Sequence, residues 1–546
     1  LAALLQRIHG VHEAASFGGK EFENGSASQA GRFSRGGFLA GMGATSLGVA
    51  SLGLLTTAAP VRSFGLRANS RVVIVGAGAA GLTCAYRLSQ AGIACRVFEA
   101  SGSVGGRIWT LRDYFDSSQI AEHGGEFIST EHVAVRRLAD ELGLQLVDVN
   151  AAQPPGTVET YFVNGHRYTL DQAVRDYEPV YQAIRNDLAA AGDITQWNNY
   201  TPAGYMLDHM SVADWLALHA PAGPNSNIGK LIGLACATEY GADVNLQSAL
   251  NLIYLLGFQP ANKFNLAGTD ERFHIRGGND QLTSGLARRL PAGTIHIQSA
   301  LIALRLRADG SYICSFQSNG RVIDVAADHV VLALPFTTLR RVDLRAAGFD
   351  ARKAIAINTL GMGTNAKLHL QFTHRLWNAL GYDGTTYSDF DYQNTWEVTR
   401  AQDGRHGILV DFPGGTPGAA FSAPPHGPAP RKAVTDFLSE LEHVYPGIST
   451  AWNGRAFLDF WAADPWHHGS YAYYKVGQYT AFAGYEIVRQ GNVHFCGEHT
   501  SYDFQGFING AVATGASAAQ EILGELRLTA KAEPQHAVWS NATAVS

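Results

Sequence analysis

Two hydrophobic periods alternate along the chain. Val72-Val73-Ile74-Val75 is a short continuous apolar run that stops at Gly76, the pattern of a strand buried on both faces of a parallel sheet. Leu82, Ala85, Tyr86 and Leu88 then recur at helical spacing as far as Gly92. Cys95-Arg96-Val97-Phe98 predicts a second strand ending at Glu99, so this stretch reads as one βαβ unit. Residues 130–265 carry mainly helical periodicity, with Val135, Leu138, Ala139 and Leu142 in one run and Val180, Tyr181, Ile184 and Leu188 in another. Strand pattern returns over 294–306 and 330–334, where Pro335 stops it. Residues 367–372 alternate with period two, which predicts a half-buried antiparallel strand. The proline-rich stretch 413–430 reads as a surface loop, and the polar tail after about residue 528 as a frayed end.

Composition narrows the classes. The 546 residues carry 41 Lys+Arg against 47 Asp+Glu, a net charge of -6, which is too neutral for a dedicated nucleic-acid binder. With 46% hydrophobic residues the chain can bury a large core, so wholesale disorder is excluded. The five cysteines (84, 95, 236, 314, 496) are scattered and contain no CxxC, which supports neither a disulfide scaffold nor a zinc ribbon. Near the N-terminus, Arg32 and Arg35 precede an uncharged stretch, 38–59, closed by Pro60. This reads as an export signal. Ser34-Arg35-Gly36-Gly37-Phe38-Leu39 resembles the twin-arginine type, although Gly36 stands where the second arginine belongs. The stretch is too weakly hydrophobic for a stable membrane span. Export to the periplasm or beyond is the expectation, with cytoplasmic residence the alternative.

The 60 glycines matter by position. Gly76-Ala77-Gly78-Ala79-Ala80-Gly81 is G-x-G-x-x-G between a predicted strand and a predicted helix. Such glycines allow the tight turn, close approach of backbone to a pyrophosphate, and close packing of helix on strand, while the helix N-terminus receives the anion. Glu99 ends the second strand, where a carboxylate can take both ribose hydroxyls. Gly105-Gly106-Arg107 follows, presenting an arginine able to neutralise pyrophosphate from the side opposite the helix. An NAD enzyme has no need of that arginine, and FAD is the better reading. Near the C-terminus, residues 492–496 are strand-like and lead to Gly497-Glu498-His499-Thr500 and Gly506-Phe507-Ile508-Asn509-Gly510-Ala511. This second strand–turn–helix implies a cofactor domain that the chain leaves and re-enters.

Together with Gly277-Gly278-Asn279-Asp280-Gln281-Leu282, these motifs resemble the flavin-containing amine oxidase family, which includes monoamine, polyamine and L-amino-acid oxidases. The resemblance spans roughly residues 70–525, and favours the bacterial L-amino-acid oxidase type. It implies an α/β fold, with a noncontiguous Rossmann-like FAD-binding domain (70–145, 266–345, 468–528) and a substrate domain of mixed antiparallel sheet and helices (146–265, 346–467). Flexible flanks are expected at 1–69 and 529–546.

The resemblance also implies chemistry and site residues. Family members pass a hydride from the carbon bearing nitrogen to flavin N5; dioxygen then yields hydrogen peroxide, and the imine hydrolyses to an oxo product and ammonia. Lys367 matches the lysine that holds a water near N5, and Tyr471 and Phe507 match an aromatic slot over the flavin face. Cofactor contacts carry over to Gly76, Gly78, Ala79, Ala80, Gly81, Glu99 and Ala100 in the first βαβ unit. They extend to Gly105, Gly106 and Arg107, to Gly124, Gly125, Glu126 and Phe127, and to Leu301 and Trp461. Gly497, Glu498, Gly506, Phe507 and Ile508 complete them. Ser470 stands where monoamine oxidases carry the cysteine that binds flavin, so noncovalent FAD is expected. Many L-amino-acid oxidases clamp the substrate carboxylate with an arginine where this chain has Phe127. Glu397, Trp396 and Trp466 are expected at the substrate, with Glu397 able to attract a cationic side chain or else to be a solvated loop carboxylate. A small amino acid or amine and O2 are the expected partners, in a homo-oligomer (a dimer), with no nucleic acid. Primary amines or polyamines remain the alternative substrates; C–C desaturation and a non-catalytic flavoprotein are remoter readings.

Overall fold

Val72–Val75 is buried at all four positions, and β-branched side chains on both faces of a strand demand cover on both. In the computed structural model, which describes residues 70–259 and 269–532, it is the middle of a five-stranded parallel sheet. Cys95–Phe98 and then Ile295–His296 lie on one side; His329–Leu332 and then Val493–Phe495 lie on the other. The export-signal-like segment 32–60 and the last residues of the tail lie outside the described residues.

One face, carrying Val72, Ile74, Val97 and Val331, packs against the helix Ala79–Gln90 and the last helix, Ile508–Ala532. The other, carrying Val73, Val75, Phe98, Val330 and Leu332, is covered partly by a three-stranded antiparallel sheet of Ser299–Leu306, Tyr312–Ser318 and Arg321–Ala327. Gly81 lies where Ala79–Gln90 meets the sheet: a β-carbon there would run into the carbonyl oxygen of Gly76 and come 3.2 Å from Ala333 Cβ.

The second layer is an eight-stranded sheet. Its order is His426–Pro428, Trp452–Phe460, Ala366–Phe372, Gly407–Asp411, Asn394–Glu397, Tyr382–Ser388, Val158–Val163, His166–Tyr168. Neighbours are antiparallel except Tyr382–Ser388 with Val158–Val163, which are parallel. Helices Leu170–Ala191, Pro202–Asp208, Val212–His219, Asn227–Tyr240 and Ala249–Leu256 form a helical cluster alongside, several of them started by Thr or Ser N-caps that accept from the first turn. This is the α/β fold expected, with a Rossmann-like parallel sheet and a mixed substrate-side sheet.

Several expected elements differ in detail. Residues 367–372 lie in a central strand buried along its whole length, rather than a half-buried one. The polar positions of its alternation face other buried polar groups, not water. Region 130–265 contains three short strands besides its helices. The run 294–306 is broken at Ile297 and Gln298, where Gln298 adopts φ 53°. The loop 413–430 holds a short helix, Gly415–Ala419, and an edge strand, His426–Pro428. The final helix continues to Ala532, beyond the expected fraying point.

Gly81→Ala is expected to cost about 1–3 kcal/mol through overpacking and to lower bound flavin. Denaturant midpoint and the ratio of visible to ultraviolet absorbance measure the two effects.

Candidate active site

Between the layers lies a cavity of about 940 Å³. Helix Ala79–Gln90 points its N-terminus at it, with no side-chain cap and no acidic residue in its first turn, so the free N–H groups and the positive end of the dipole face the space. At Gly78 a β-carbon would meet nothing nearer than the Gly105 carbonyl oxygen at 4.0 Å; the room there is kept for a ligand. The Gly-Gly turn is tied to the first loop by Gly105 N–H donating to Ala77 O at 2.9 Å. Glu99 is held in place by the N–H groups of Ala77 (2.7 Å) and Ser101 (2.8 Å). A long, phosphate-bearing cofactor fits these donors and this opening.

Arg107 is fastened to the C-terminal segment. Its Nη1 donates to Glu498 Oε1 at 2.9 Å and to the Ser470 carbonyl at 2.6 Å. Glu498 also accepts from the N–H groups of Ala472 and Gly506 (2.8 Å). The side chains of the pair are 20% and 7% exposed, so the charges compensate each other largely out of water.

Most of the residues predicted from sequence meet on the cavity wall. Gly76, Gly78, Ala79, Ala80, Glu99, Ala100, Gly105, Gly106 and Arg107 line one end, with Leu301. Gly124, Gly125, Glu126, Phe127, Trp461, Gly497, Glu498, Gly506, Phe507 and Ile508 line it further along, and Lys367, Trp396, Trp466 and Tyr471 also border it. Two predicted residues do not reach the wall. Gly81 acts behind it, in helix–strand packing. Glu397 is 3% exposed and belongs to a buried structural cluster: Arg375 Nε donates to one carboxylate oxygen at 2.5 Å and Trp377 Nε1 to the other at 2.9 Å. The expectation that Glu397 meets substrate or solvent is therefore corrected, because strand alternation points Trp396 to the cavity and Glu397 away from it.

Lys367 is held by protein groups. Its Nζ donates to Glu122 O (3.0 Å), Gly124 O (2.9 Å) and Glu126 Oε2 (2.7 Å), a number of acceptors that equals its three N–H donors. Trp396 Nε1 donates to Glu126 Oε1 at 3.2 Å, and the Trp396 ring lies 5.6 Å from the ammonium. Tyr471 donates its hydroxyl to Thr238 O at 3.0 Å, and Phe507 packs against His132. Ser470 Oγ donates to Asn365 Oδ1 at 2.7 Å.

Sequence reasoning missed one group on this wall. Arg400, Glu159, Glu239, Glu271 and Asp383 all border the cavity. Arg400 Nη2 donates to Asp383 O and Thr385 Oγ1, each at 3.0 Å, while its buried Nε has no partner among the described residues. Burial raises Asp383 above the ordinary carboxylate range despite Arg400, and burial with Glu126 and Asp270 nearby pushes Glu271 up to about 7. No local motif marks these residues, since they come from separate strands and loops.

Known proteins agree with this geometry. The family model described as flavin containing amine oxidoreductase matches residues 79–523. The chain belongs to that family. Among its relatives, putrescine oxidase of Kocuria rosea is 24% identical over 482 residues, 84% of this chain and 96% of that protein. L-amino-acid oxidase of Gloydius halys is 22% identical over 476 residues, covering 84% and 90%. The structure of cyclohexylamine oxidase from Brevibacterium oxydans IH-35A superposes with a TM-score of 0.71 at 22% identity, over 84% of this chain and 99% of that one. Membership assigns the chain an FAD cofactor and oxidoreductase chemistry on amines or amino acids, and the glycine loops, Glu99 and Arg107 line the cavity that such a cofactor would fit. Among the described residues no helix is long and apolar enough to cross a membrane.

Behind Trp461, whose Nε1 donates to His123 O at 2.8 Å, Asp459 Oδ1 accepts from His123 (2.6 Å) and His426 (2.7 Å). Burial alone would lower the His426 pKa, but hydrogen bonds to Asp459 and Asp464 raise it to about 9.

Arg107→Ala or Glu498→Ala leaves the partner charge stranded and is expected to cost about 3–5 kcal/mol, with loss of flavin, both read by unfolding monitored through flavin fluorescence. His426 gives a pH signature. Its folded pKa lies above the unfolded value of 6.5, so its stabilisation is full below pH 6.5 and disappears as pH rises through about 9. The melting-temperature gap between wild type and His426→Gln should shrink across that window; a constant gap would refute the assignment.

Proposed function

We propose that the protein is an FAD-dependent oxidase of L-amino acids that releases a 2-oxo acid, ammonia and hydrogen peroxide. Arg400 carries this reading. It brings a guanidinium to the cavity wall, the group a substrate carboxylate needs, in a chain that has Phe127 at the usual position for that arginine. Bound FAD would supply a hydride acceptor for the α-carbon and a route for the electrons to dioxygen. The chain's own residues then have positioning roles. Tyr471, Phe507 and Trp396 border the space with aromatic surface that keeps water out, and Lys367 with Glu126 forms a fixed charge pair at its edge. Ser470, in place of a cysteine, supports noncovalent FAD. A homodimer and export through the 32–60 segment complete the proposal.

A second reading, oxidation of primary amines or polyamines, is favoured by the carboxylates Glu159, Glu239, Glu271 and Asp383 on the same cavity, which suit a cationic substrate. Matched substrates separate the two readings: L-arginine against agmatine, and L-lysine against cadaverine, with peroxide release as the readout. The expected result is turnover of the amino acids, with Arg400→Gln lowering their kcat/KM about 10–100-fold, the worth of a charge-assisted hydrogen bond, and sparing any activity on the decarboxylated partners. Peroxide from the amines alone would establish the second reading.

A further inference from the structure

Off the cavity wall, three donor atoms converge where the last helix crosses the edge of the parallel sheet. His329 opens the strand His329–Leu332, and His494 is in the edge strand Val493–Phe495. His494 pairs in register with Val331, two residues beyond His329, so both imidazoles leave the same face of the sheet. Glu521 and Glu525, one turn apart on the helix Ile508–Ala532, meet them there.

The spacings separate this cluster from an ordinary hydrogen-bonded network. His329 Nδ1 lies 3.4 Å from His494 Nε2 and 3.5 Å from Glu525 Oε2, and the three donor atoms all fall within 4.8 Å of one another. These separations exceed those of good hydrogen bonds. The two distances from His329 Nδ1 come close to the roughly 3.3–3.4 Å between ligand atoms at about 2.0–2.1 Å around a tetrahedral ion. The buried His123–Asp459–His426 cluster is the contrasting case, with contacts of 2.6 and 2.7 Å that are hydrogen bonds.

The surroundings fit a ligand role as well. His494 Nδ1 lies 2.7 Å from Glu521 Oε2. A carboxylate there takes the Nδ1 proton and turns the Nε2 lone pair toward the other two donors, the arrangement that orients metal-ligating histidines. His494 is fully buried whereas Glu525 is 23% exposed, which leaves a way in from solvent.

We propose that His329, His494 and Glu525 form a binding site for a divalent transition-metal ion of the zinc type, with Glu521 orienting His494. Two imidazoles and a carboxylate suit Zn2+ and its late first-row neighbours better than Mg2+ or Ca2+. None of these residues lines the cofactor cavity, so the ion would clamp the final helix to the sheet instead of taking part in the redox reaction.

The test uses the full-length holoenzyme, stripped with EDTA, equilibrated with ZnCl2 and desalted, with retained zinc measured by mass spectrometry. About one zinc per chain is expected, together with a rise in melting temperature on adding zinc. Glu525→Gln and His329→Gln should abolish retention, Glu521→Gln should weaken zinc affinity about 10–100-fold, and His426→Gln should leave retention unchanged. Glu525 is partly exposed, so its variant is the arm least exposed to misfolding, and its flavin absorbance checks that it has folded. No retained zinc in the wild type, or equal retention in Glu525→Gln and His329→Gln, would overturn the proposal.

Discussion

The buried ion pair between Arg107 and Glu498 joins parts of the chain that local structure alone would leave apart. Arg107 belongs to the glycine turn after the first βαβ unit, and Glu498 to the turn after the last strand of the same sheet. Both also bond backbone of the C-terminal segment: Arg107 the carbonyl of Ser470, Glu498 the N–H groups of Ala472 and Gly506. Desolvating two charges is costly, and their attraction offsets that cost only when the geometry is good and the remaining donors and acceptors are engaged. Here they are. The cofactor cavity is thus closed by contacts between two glycine loops whose backbones can approach closely.

A similar economy shapes the opposite wall. The strand Ala366–Phe372 is buried from end to end, yet it carries Lys367, His369 and Gln371. Lys367 is satisfied by two carbonyls and Glu126, and Gln371 by Asp116 and Gln119. Lys367 and Gln371 are tolerated there because they are bonded, whereas neither ring nitrogen of His369 has a hydrogen-bond partner among the described residues. The two bonded side chains connect the sheet to the segment 116–126, whose end lines the cavity, so the position of Lys367 is set by protein atoms on every donor. The pair His426–Asp459 does the same for Trp461 through His123.

The cofactor side was more legible than the substrate side, and the reason is geometric. Gly76, Gly78 and Gly81 announce themselves because phosphate binding and helix packing need the absence of a β-carbon at fixed offsets. Arg107 was legible through the two glycines before it. Glu397 was misread because its neighbour Trp396 does face the cavity, and a period-two strand sends adjacent residues to opposite sides. Arg400 was missed because it carries no motif; its meaning comes from Asp383 and Thr385 on a neighbouring strand.

Local sequence by itself determined the βαβ unit, the glycine loops, the acidic strand end at Glu99 and the return to the first sheet near the C-terminus. These depend on short-range sterics and periodicity, which are written in consecutive residues. Tertiary structure alone decided that 367–372 is a central strand, that Glu397 serves Arg375 and Trp377, and that Arg400 and a ring of carboxylates share the cavity. It also brought His329, His494 and Glu525 together. Each of these depends on which distant segments become neighbours, and hydrogen bonding and charge compensation in a buried space have no signature until those neighbours are in place.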